Sequence, residues 1–546
     1  MKRSILNWFW MAAGKFPKYF LISMLLSIFL AVMNALLPWG LRIFLQQIDE
    51  QGDYRAIAAG ILFFVLFFLV RIFLNMAWFV SLDCFGGKYI EDLTLKLERA
   101  MSETSYDRIE HLQPGVLRNI MYTDVLNIFR CIGHHVPSIL GSIAVMMAAV
   151  FVSLGYEVKY TLFICAAVAV GLGISWCSRK ILARISGKTN GMLKKHDAWC
   201  TQFISMLPVI QQNPVEEYYM AKTSENLSAF IKTAIHEDTW STFWTGLVNG
   251  YHSLFSIALS ALLALPVAGN SISNLVFFTM IANLILEQAQ SAEQLFQQTV
   301  KMQISFLNVE KVLELPKTGG EKSTDRIREV KFEHVVFSYS EQASALKDIC
   351  CQMQKGDIIL LQGKNGSGKS TFLKILTGAY LPTEGSVSFN HLVSSELDRR
   401  KLNRRILYIS QEEKCLNETF KVYLEKITGN RIEDTYYREL LQFVELPDDG
   451  RKIRENGLSL SVGQRKKLLI MKMFLRFEQS DIIILDELTA GLDAQTSKKI
   501  YSRLFQMAGQ KNKIVLVVDH TETSMEKYSK IFYFSHGTLK VCEKTL

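Results

Sequence analysis

Six runs of apolar residues, each long enough to cross a lipid bilayer as a helix, lie within the first 290 residues of this 546-residue chain. They cover residues 19–46, 54–82, 136–156, 159–177, 243–265 and 271–290. In hydrocarbon each backbone N–H and C=O group needs a partner within the protein, so runs of this length are restricted to helices. Such runs stop after Glu310, and the chain is too long for one ordinary core. The sequence therefore predicts a six-span α-helical membrane domain followed by a soluble domain.

The segments between the runs alternate between short and long, and the long ones carry most of the Lys and Arg residues. Residues 83–135 and 178–242 are long, whereas 47–53, 157–158 and 266–270 are short. Because basic loops stay in the cytosol, we expect both long segments and both termini to be cytosolic, in a bacterial cell membrane. The long segments are expected to extend the spans as helical stalks, with two small soluble insertions as the alternative. The net charge of +9 then reflects basic flanks, and no nucleic-acid partner is expected.

The N-terminal residues do not fit a cleaved signal peptide, because Lys15, Pro17 and Lys18 interrupt the apolar stretch. Aromatic residues concentrated between positions 8 and 20 instead predict an interfacial helix that lies along the bilayer. The nine cysteines include no C-x-x-C pair, which favours reduced thiols over disulfides or zinc.

Apolar runs of strand length alternate with helix-compatible stretches in the second half of the chain. The strand candidates are residues 330–337, 358–361, 406–410, 482–485 and 514–518. This alternation is typical of an α/β domain with a mostly parallel sheet covered on both faces. A Pro- and Gly-containing stretch at 316–323 indicates a linker, so we expect domains at 1–315 and 324–546.

A glycine-rich loop follows the strand candidate at 358–361 and leads into a helix-like run. It reads Gly363, Lys364, Asn365, Gly366, Ser367, Gly368, Lys369, Ser370 and Thr371. Because glycine has no Cβ, successive backbone N–H groups of such a loop can close around the phosphates of a nucleoside triphosphate. Lys369 is expected to reach the terminal phosphates and Ser370 to ligate Mg²⁺. A loop that only turns the chain is the alternative, but the flanking strand and helix favour a P-loop.

An acidic pair follows the strand candidate at 482–485. Asp486 and Glu487 place two carboxylates at the end of a buried strand. We expect Asp486 to hold Mg²⁺ through water and Glu487 to orient and polarise the water that attacks the terminal phosphate.

The stretch Leu460-Ser461-Val462-Gly463-Gln464 resembles the Leu-Ser-Gly-Gly-Gln signature of ATP-binding cassette (ABC) transporters. The resemblance covers essentially the whole chain and implies an exporter-type half-transporter, with ATP and Mg²⁺ as cofactors. It also implies further site residues, each at its expected place in the order of the family motifs. These are Tyr339 as the adenine-stacking aromatic, Gln411 as the residue that senses Mg²⁺, Asp493 in the loop after the acidic strand, and His520 as the switch histidine at the γ-phosphate.

In this family the signature of one ATPase domain completes the ATP site of another, so the resemblance implies a second half-transporter as partner. Ser461, Gly463 and Gln464 would face ATP bound by that partner, which is either a second copy or a related chain. The chain departs from the family pattern at Val462, in place of glycine, and at Leu488, in place of proline. Because a β-branched residue restricts the backbone, we expect slower hydrolysis at most.

The resemblance implies ATP-driven transport of an amphipathic or hydrophobic substrate, such as a peptide, lipid or drug-like molecule, with export as the expected direction. A siderophore importer of the same architecture and an ATP-gated regulator are the alternatives. Closure of the ATPase domains over ATP is expected to move the spans. The tips expected to contact the ATPase domains lie near residues 123–128 and 206–211.

A few polar residues inside the spans are the substrate clues. Arg71 lies among Phe, Leu and Val, where an unpaired charge is costly. It could bind an anionic group of the substrate, or it could pair with Glu287. The polar stripe at 287–298 could line a water-filled pathway or simply be a cytosolic extension. The pair His134 and His135 favours a structural contact over a metal site.

Overall fold

The computed structural model describes residues 4–51, 54–110, 112, 114–264, 272–317, 319–324, 326–340, 343–410, 413–488, 492–518 and 527–543. The chain forms two compact units. The helical unit comprises Met1–Glu98 and Gly115–Leu313, and the sheet unit comprises Arg99–Pro114 and Glu314–Leu546. Arg99–Pro114, which lies in the first long segment, therefore packs with the C-terminal half of the chain.

The first half of the chain is helical. Its helices are α1 Ile5–Lys15, α2 Pro17–Gln51, α3 Tyr54–Glu103, α4 Tyr106–Glu110, α5 Pro114–Asn119, α6 Val125–Arg130, α7 Val136–Leu154, α8 Val158–Gln212, α9 Glu216–Ala264, α10 Ile272–Lys301 and α11 Gln303–Leu313, with π-helical turns at Ile120–Asp124 and Cys131–His135. Within the described residues, six helical stretches are long and apolar enough to span a membrane. They are Pro17–Ile48, Ile57–Glu103, Gly115–Leu154, Val158–Gln212, Glu216–Ala264 and Ile272–Leu313, which confirms the six predicted spans.

Three of the helices are much longer than a bilayer is thick. Helices α3, α8 and α9 contain 50, 55 and 49 residues. At 1.5 Å per residue each is roughly 75 Å long, more than twice the hydrocarbon thickness of about 30 Å. Helices α3, α8 and α9 thus continue from the spans into the two long segments, as the expected stalks would, whereas residues 104–135 of the first segment form shorter helices and π-helical turns.

The core of the helical unit lies around α10. Phe277, Phe278 and Ile281 of this helix are buried, together with Ala149 of α7 and Leu259 of α9. In contrast, none of the most apolar part of α3 is buried within the chain. Lipid is as apolar as these side chains, so such a surface is stable in a membrane without a protein neighbour.

Helix α1 lies where the sequence predicts an interfacial helix, and it packs one face on the helical unit. Ser4 caps it by accepting a hydrogen bond from the Asn7 backbone N–H. Trp8 and Phe9 are buried, and the Trp8 ring lies 5.5 Å from that of Phe306. Trp10 on the opposite face is exposed, as an interfacial aromatic residue would be.

The second half of the chain contains ten strands and six helices within the described residues. The strands are β1 Glu329–Ser340, β2 Ala343–Gln354, β3 Ile358–Gly363, β4 Glu384–Phe389, β5 Leu392–Val393, β6 Ile406–Ile409, β7 Ile482–Asp486, β8 Ile514–Val518, β9 Lys530–Ser535 and β10 Thr538–Glu543. The helices are α12 Lys369–Leu376, α13 Arg399–Arg405, α14 Phe420–Thr428, α15 Asp434–Val444, α16 Val462–Arg476 and α17 Ala494–Lys511.

These strands form two sheets. The six-stranded sheet has the order β10-β9-β3-β8-β7-β6 and is parallel from β9 to β6. The four-stranded sheet, β2-β1-β4-β5, is antiparallel. The predicted parallel sheet is confirmed for four of the five candidates. The fifth, 330–337, is a strand but belongs to the separate antiparallel sheet, where it pairs with its hairpin neighbour β2 on one side and with β4 on the other.

Side chains alternate between two cores along the parallel strands. Ile483 and Val515 face a core that includes Leu468 of α16 and Leu504 of α17. Their neighbours in sequence face a second core formed with α12 and the antiparallel sheet. Both faces of the parallel sheet are thus covered, and the carboxyl ends of β3 and β7, on either side of β8, are left to hold the site.

Candidate ATP site

The glycine-rich loop leaves β3 and enters α12 in a shape that excludes larger side chains at two positions. Gly363 has φ +147°, and a Cβ there would lie 2.4 Å from the Phe534 carbonyl oxygen. Gly368, with φ +110°, caps α12, and a Cβ there would lie 2.7 Å from Leu346 Cδ2. The loop therefore places its backbone N–H groups at the N-terminal end of α12, where the helix dipole favours a phosphate.

Lys369 is held inside this loop. Its ammonium donates hydrogen bonds to the carbonyl oxygens of Gly363, at 2.7 Å, and Lys364, at 3.1 Å. The residue is only 8% exposed, and burial lowers the pKa of its ammonium, which Asp486 and Glu487 partly oppose. The structure therefore brings the loop lysine and the acidic pair into one electrostatic site, although they are more than a hundred residues apart.

Two side chains that sequence reasoning missed position the acidic pair. Tyr408 on β6 donates a hydrogen bond to Asp486 Oδ2 at 3.1 Å, and burial raises the pKa of its hydroxyl. Lys466 on α16 donates to the Glu487 backbone oxygen at 3.0 Å. Glu487 has a left-handed φ of 52°, which costs about 1–3 kcal/mol and is maintained by such contacts. The only sequence signal was their place, since Tyr408 lies within the strand candidate 406–410 and Lys466 follows the signature.

Tyr339 on β1 lies beside the glycine-rich loop. Its hydroxyl is hydrogen-bonded to Thr371 Oγ1 at 3.0 Å, and the residue is 46% exposed. The rings of Phe337 and Tyr380 meet it edge-on, with centroids 5.1 and 5.8 Å away. One face is therefore available for a planar base next to the glycine-rich loop.

Helix α16 begins at the signature. Ser461 accepts a hydrogen bond from the Gln464 backbone N–H, and Gln464 accepts one from the Ser461 N–H, both at 3.1 Å, which forms a capping box. Val462 is the first residue of the helix and is 58% exposed. Its backbone is helical, so the freedom of a glycine is not needed here, and Gly463 follows inside the first turn.

Asp493 caps α17, where its carboxylate accepts a hydrogen bond from the Thr496 N–H at 2.8 Å. That hydrogen bond lowers the pKa of the Asp493 carboxyl. Among the described residues, no interaction links Asp493, Ser461 or Gln464 to the loop at 363–371. Gln411 and His520 lie outside the described residues.

Comparison with known proteins identifies the family. A family model described as ABC transporter matches residues 346–490, and one described as ABC transporter transmembrane region matches residues 20–289. The chain belongs to the ABC transporter family. Because both regions are fused in one chain, it is an exporter-type half-transporter, a multi-pass membrane protein that hydrolyses ATP.

Relatives and solved structures agree with this assignment. An ATP-dependent lipid A-core flippase of Mannheimia succiniciproducens is 24% identical over 96% of this chain and 92% of its own length. A multidrug resistance ABC transporter ATP-binding and permease protein of Lactococcus lactis is 20% identical over 84% of this chain and 80% of its own. A bacterial Atm1-family ABC exporter, solved with ATP bound, shares the fold with a TM-score of 0.83 over 97% of this chain and 95% of its own, at 14% identity.

The sheet unit of the transporter also includes Arg99–Pro114, called the docking segment here. Its Tyr106 N–H donates to the Ala379 carbonyl at 3.0 Å, and its Thr104 carbonyl accepts from Arg399 at 2.9 Å. Glu103 forms ion pairs at 3.0 Å with Arg400 and with Lys317.

The docking segment continues to the wall of the nucleotide site. Tyr380 donates a hydrogen bond to Glu110 and accepts one from Lys374 Nζ at 2.7 Å. A cavity of about 500 Å³ is lined by Asp107 and Glu110 on one side and by Tyr339 and Tyr380 on the other. Tyr339, the predicted adenine-stacking residue, therefore contacts the docking segment through a single residue, Tyr380.

The first predicted contact tip, 123–128, is placed elsewhere. Asp124 accepts a hydrogen bond from Asn308 at 2.9 Å, and Asn127 donates one to Ser305 at 3.1 Å. Both partners are on α11, so this stretch packs inside the helical unit. The segment that packs with the ATPase domain lies some twenty residues earlier, where α3 ends.

The helical unit contains a cavity of about 650 Å³ that includes Arg71. Its polar lining also contains Asn34, Asn75, Gln288, His134 and four serines, and apolar side chains such as Phe68 and Ile72 form the other half. Among the described residues, no carboxylate lies within ion-pair distance of Arg71, so the expected alternative of a pair with Glu287 is not formed. Glu287 is exposed.

The imidazole rings of His134 and His135 contact different residues. His134 Nε2 lies 2.8 Å from Asp83 Oδ1. His135 Nδ1 lies 3.4 Å from Thr299 Oγ1. Each ring thus makes its own structural contact, as expected.

Proposed function

We propose that this half-transporter pairs with a second half and uses ATP hydrolysis to export an amphipathic substrate that carries an anionic group. The membrane is the cytoplasmic membrane of a bacterium, with the ATPase domain and both termini in the cytosol. The proposal rests on one observation: the glycine-rich loop and the signature helix of this chain each expose phosphate-binding groups, yet no described contact joins them.

The ATP site consists of the loop at 363–371 and the acidic pair. Lys369 binds the terminal phosphates. Burial lowers the pKa of its ammonium, and the negative charge of a bound phosphate would offset that cost. Ser367 Oγ is buried without a hydrogen-bond partner among the described residues, which also fits a loop that awaits an anion. Tyr339 stacks on the adenine, and Glu487 polarises the attacking water. Gln411 and His520 keep the roles that the family resemblance implies.

The oxygen ligands present suit Mg²⁺. Ser370 offers a hydroxyl and Asp486 a carboxylate, which are the hard donors that this ion prefers, with water and phosphate oxygens in the remaining positions. When bound, Mg²⁺ neutralises charge on the phosphates. Tyr408 orients the Asp486 carboxylate toward that position, which is a positioning role.

The N-terminal end of α16 completes the site of the partner. Ser461 and the backbone N–H groups of the first turn present a positive helix end to solvent. In the paired transporter this end contacts the γ-phosphate of ATP held by the other half, together with Gly463 and Gln464. Asp493 caps a neighbouring helix at the same interface. Val462 adds bulk at the contact without changing the backbone, so it slows closure at most.

The side chains of Tyr339, Tyr380 and Lys374 couple nucleotide binding to the position of the docking segment. Adenine on Tyr339 orders this ring against Tyr380, and Tyr380 holds Glu110. Lys374, on the helix that begins with Lys369, lies 4.6 Å from the Tyr380 ring centroid and reaches the same hydroxyl. Nucleotide binding and the position of the docking segment thus depend on shared side chains.

The Arg71 cavity supplies the substrate preference. A guanidinium with no carboxylate partner among the described residues, in a wall of mixed polar and apolar side chains, favours a ligand that has both an anionic group and an apolar body. The names of the relatives, a lipid A-core flippase and a multidrug transporter, are consistent with lipid or drug-like substrates.

Transport assays in inside-out vesicles test this function. We expect ATP-dependent uptake of a fluorescent anionic lipid by the wild type, its loss in Glu487→Gln, and at least tenfold weaker uptake in Arg71→Gln. A neutral lipid of equal chain length should be moved equally by wild type and Arg71→Gln, and Lys159→Gln, at an exposed lysine of α8, is the matched control. Full cellular function of Glu487→Gln would favour an ATP-gated regulator, and uptake into right-side-out vesicles would favour import.

A further inference from the structure

Three metal-ligating side chains meet on the exposed surface of the β1–β2 hairpin, apart from the ATP site. His334 lies on β1, and Asp348 and Cys350 lie on β2. His334 Nδ1 is 2.7 Å from Asp348 Oδ1, Cys350 Sγ is 3.6 Å from His334 Nδ1, and Cys350 Sγ is 3.9 Å from Asp348 Oδ1. It is the only group of three such ligands that converges among the described residues.

These distances match one face of a tetrahedral metal centre. With bonds of about 2.0 Å to nitrogen and oxygen and 2.3 Å to sulfur, the ligand atoms of such a centre lie roughly 3.3–3.6 Å apart. The nitrogen–sulfur distance already fits, and the sulfur–oxygen distance is slightly long. Only the nitrogen–oxygen distance must widen, by about half an ångström, which occurs when a metal replaces the hydrogen-bonding proton.

The backbone brings the ligands together at a cost. His334 has φ 50° and Asp348 has φ 49°, both in the left-handed region that non-glycine residues rarely adopt. The β1–β2 register shifts between Phe332 and Val335, next to His334. Such a bulge turns side chains out of the regular alternation, and here it directs the imidazole toward β2.

The donor set selects the metal. A thiolate, an imidazole and a carboxylate together suit a borderline-soft ion such as Zn²⁺ and do not suit Mg²⁺, which prefers oxygen donors alone. The His334 backbone N–H points at Cys350 Sγ from 3.3 Å and would stabilise the thiolate. All three residues are exposed, so a fourth position remains open to water or to another ligand.

We propose that His334, Asp348 and Cys350 form a surface site for a borderline-soft divalent cation, with Zn²⁺ as the best fit and one coordination position open. The site is independent of the transported substrate and of the Mg²⁺ at the ATP site. Because β1 continues from His334 to Tyr339, the bound ion would also tie together the two strands that carry the adenine platform.

Cobalt binding to the purified full-length transporter tests this site, since a thiolate bound to Co²⁺ gives a charge-transfer band that carboxylates and imidazoles do not. Chelator-treated protein in detergent is titrated with Co²⁺ and then with Zn²⁺. We expect one equivalent of Co²⁺ with a thiolate band that Zn²⁺ displaces. His334→Asn, which tolerates the left-handed backbone, should weaken binding at least about tenfold, as loss of a ligand does.

Cys350→Ser should abolish the band, whereas Cys542→Ser, at another exposed cysteine, should keep it. ATPase activity of each variant serves as the folding control, because none of these residues belongs to the ATP site. The proposal is overturned if the wild type gives no thiolate band, or if Cys350→Ser binds Co²⁺ with the same band and affinity as the wild type.

Discussion

Replacing Tyr380 by phenylalanine tests whether nucleotide occupancy and the docking segment share a side chain. The ring is 1% exposed and stacks on Phe337 at a centroid distance of 5.1 Å. Phenylalanine keeps this packing and removes only the hydroxyl. The variant therefore loses the hydrogen bonds to Glu110 and Lys374 and the interaction of the hydroxyl with the Tyr339 side chain.

The magnitude follows from those two bonds. Burial raises the pKa of the Tyr380 hydroxyl, so it remains a donor to Glu110 across the physiological range. A hydrogen bond to a charged group contributes about 1.5–3 kcal/mol, but Glu110 and Lys374 are partly exposed and regain water, so we expect a net loss of about 1–2 kcal/mol. This corresponds to roughly a five- to thirtyfold weaker attachment of the Glu110 end. The contacts of Glu103, Thr104 and Tyr106 and the ion pair of Lys374 with Glu110 at 3.8 Å remain, so the segment is loosened rather than released.

Amide hydrogen exchange measures this change directly. In Tyr380→Phe, exchange in peptides that cover 104–112 should accelerate by roughly five- to thirtyfold, and transport per ATP hydrolysed should fall. Tyr437→Phe is the matched control. Tyr437, on α15, also donates a hydrogen bond to a carboxylate, that of Asp448 at 2.5 Å, but it makes no hydrogen bond to the docking segment among the described residues. Unchanged exchange in the docking segment of Tyr380→Phe would refute the reasoning.

Three further outcomes are expected. Glu487→Gln should lower phosphate release at least about a hundredfold, as loss of a general base does, while ATP binding measured by filter retention persists; near-normal turnover would remove Glu487 from the reaction. Val462→Gly should raise ATPase turnover by no more than a fewfold and lower helix stability by about 0.5–1 kcal/mol, and a larger gain in turnover would show that Val462 limits closure. Because burial lowers the pKa of Lys369 when the protein is folded, the unfolded chain binds more protons at that group and stability rises with pH. Nucleotide-free wild type should therefore gain thermal stability relative to Lys369→Met as the pH increases toward 10, and a constant difference in melting temperature would contradict this.

The sequence by itself determined the features that depend on local pattern. Apolar length restricted the first half to six spanning helices, because lipid offers the backbone no hydrogen-bond partners. The spacing of glycine, lysine and serine at 363–370 identified a phosphate loop, because its chemistry lies within one turn of chain. The signature at 460–464 identified the family, and the capping box at Ser461 and Gln464 is formed by residues three apart.

Only the tertiary structure decided which distant residues meet. The sequence predicts strand β1 alongside the parallel strands, yet β1 pairs antiparallel with its hairpin neighbour β2. Strand partners depend on the topology of the fold and not on hydropathy. Tyr408 reaches Asp486 and Lys466 reaches Glu487 because their elements are adjacent in the fold. The docking segment was missed for the same reason, since nothing in its composition distinguishes it from the helix that precedes it. The proposed metal site is also invisible as a spacing motif, because a strand pairing and two left-handed residues create it.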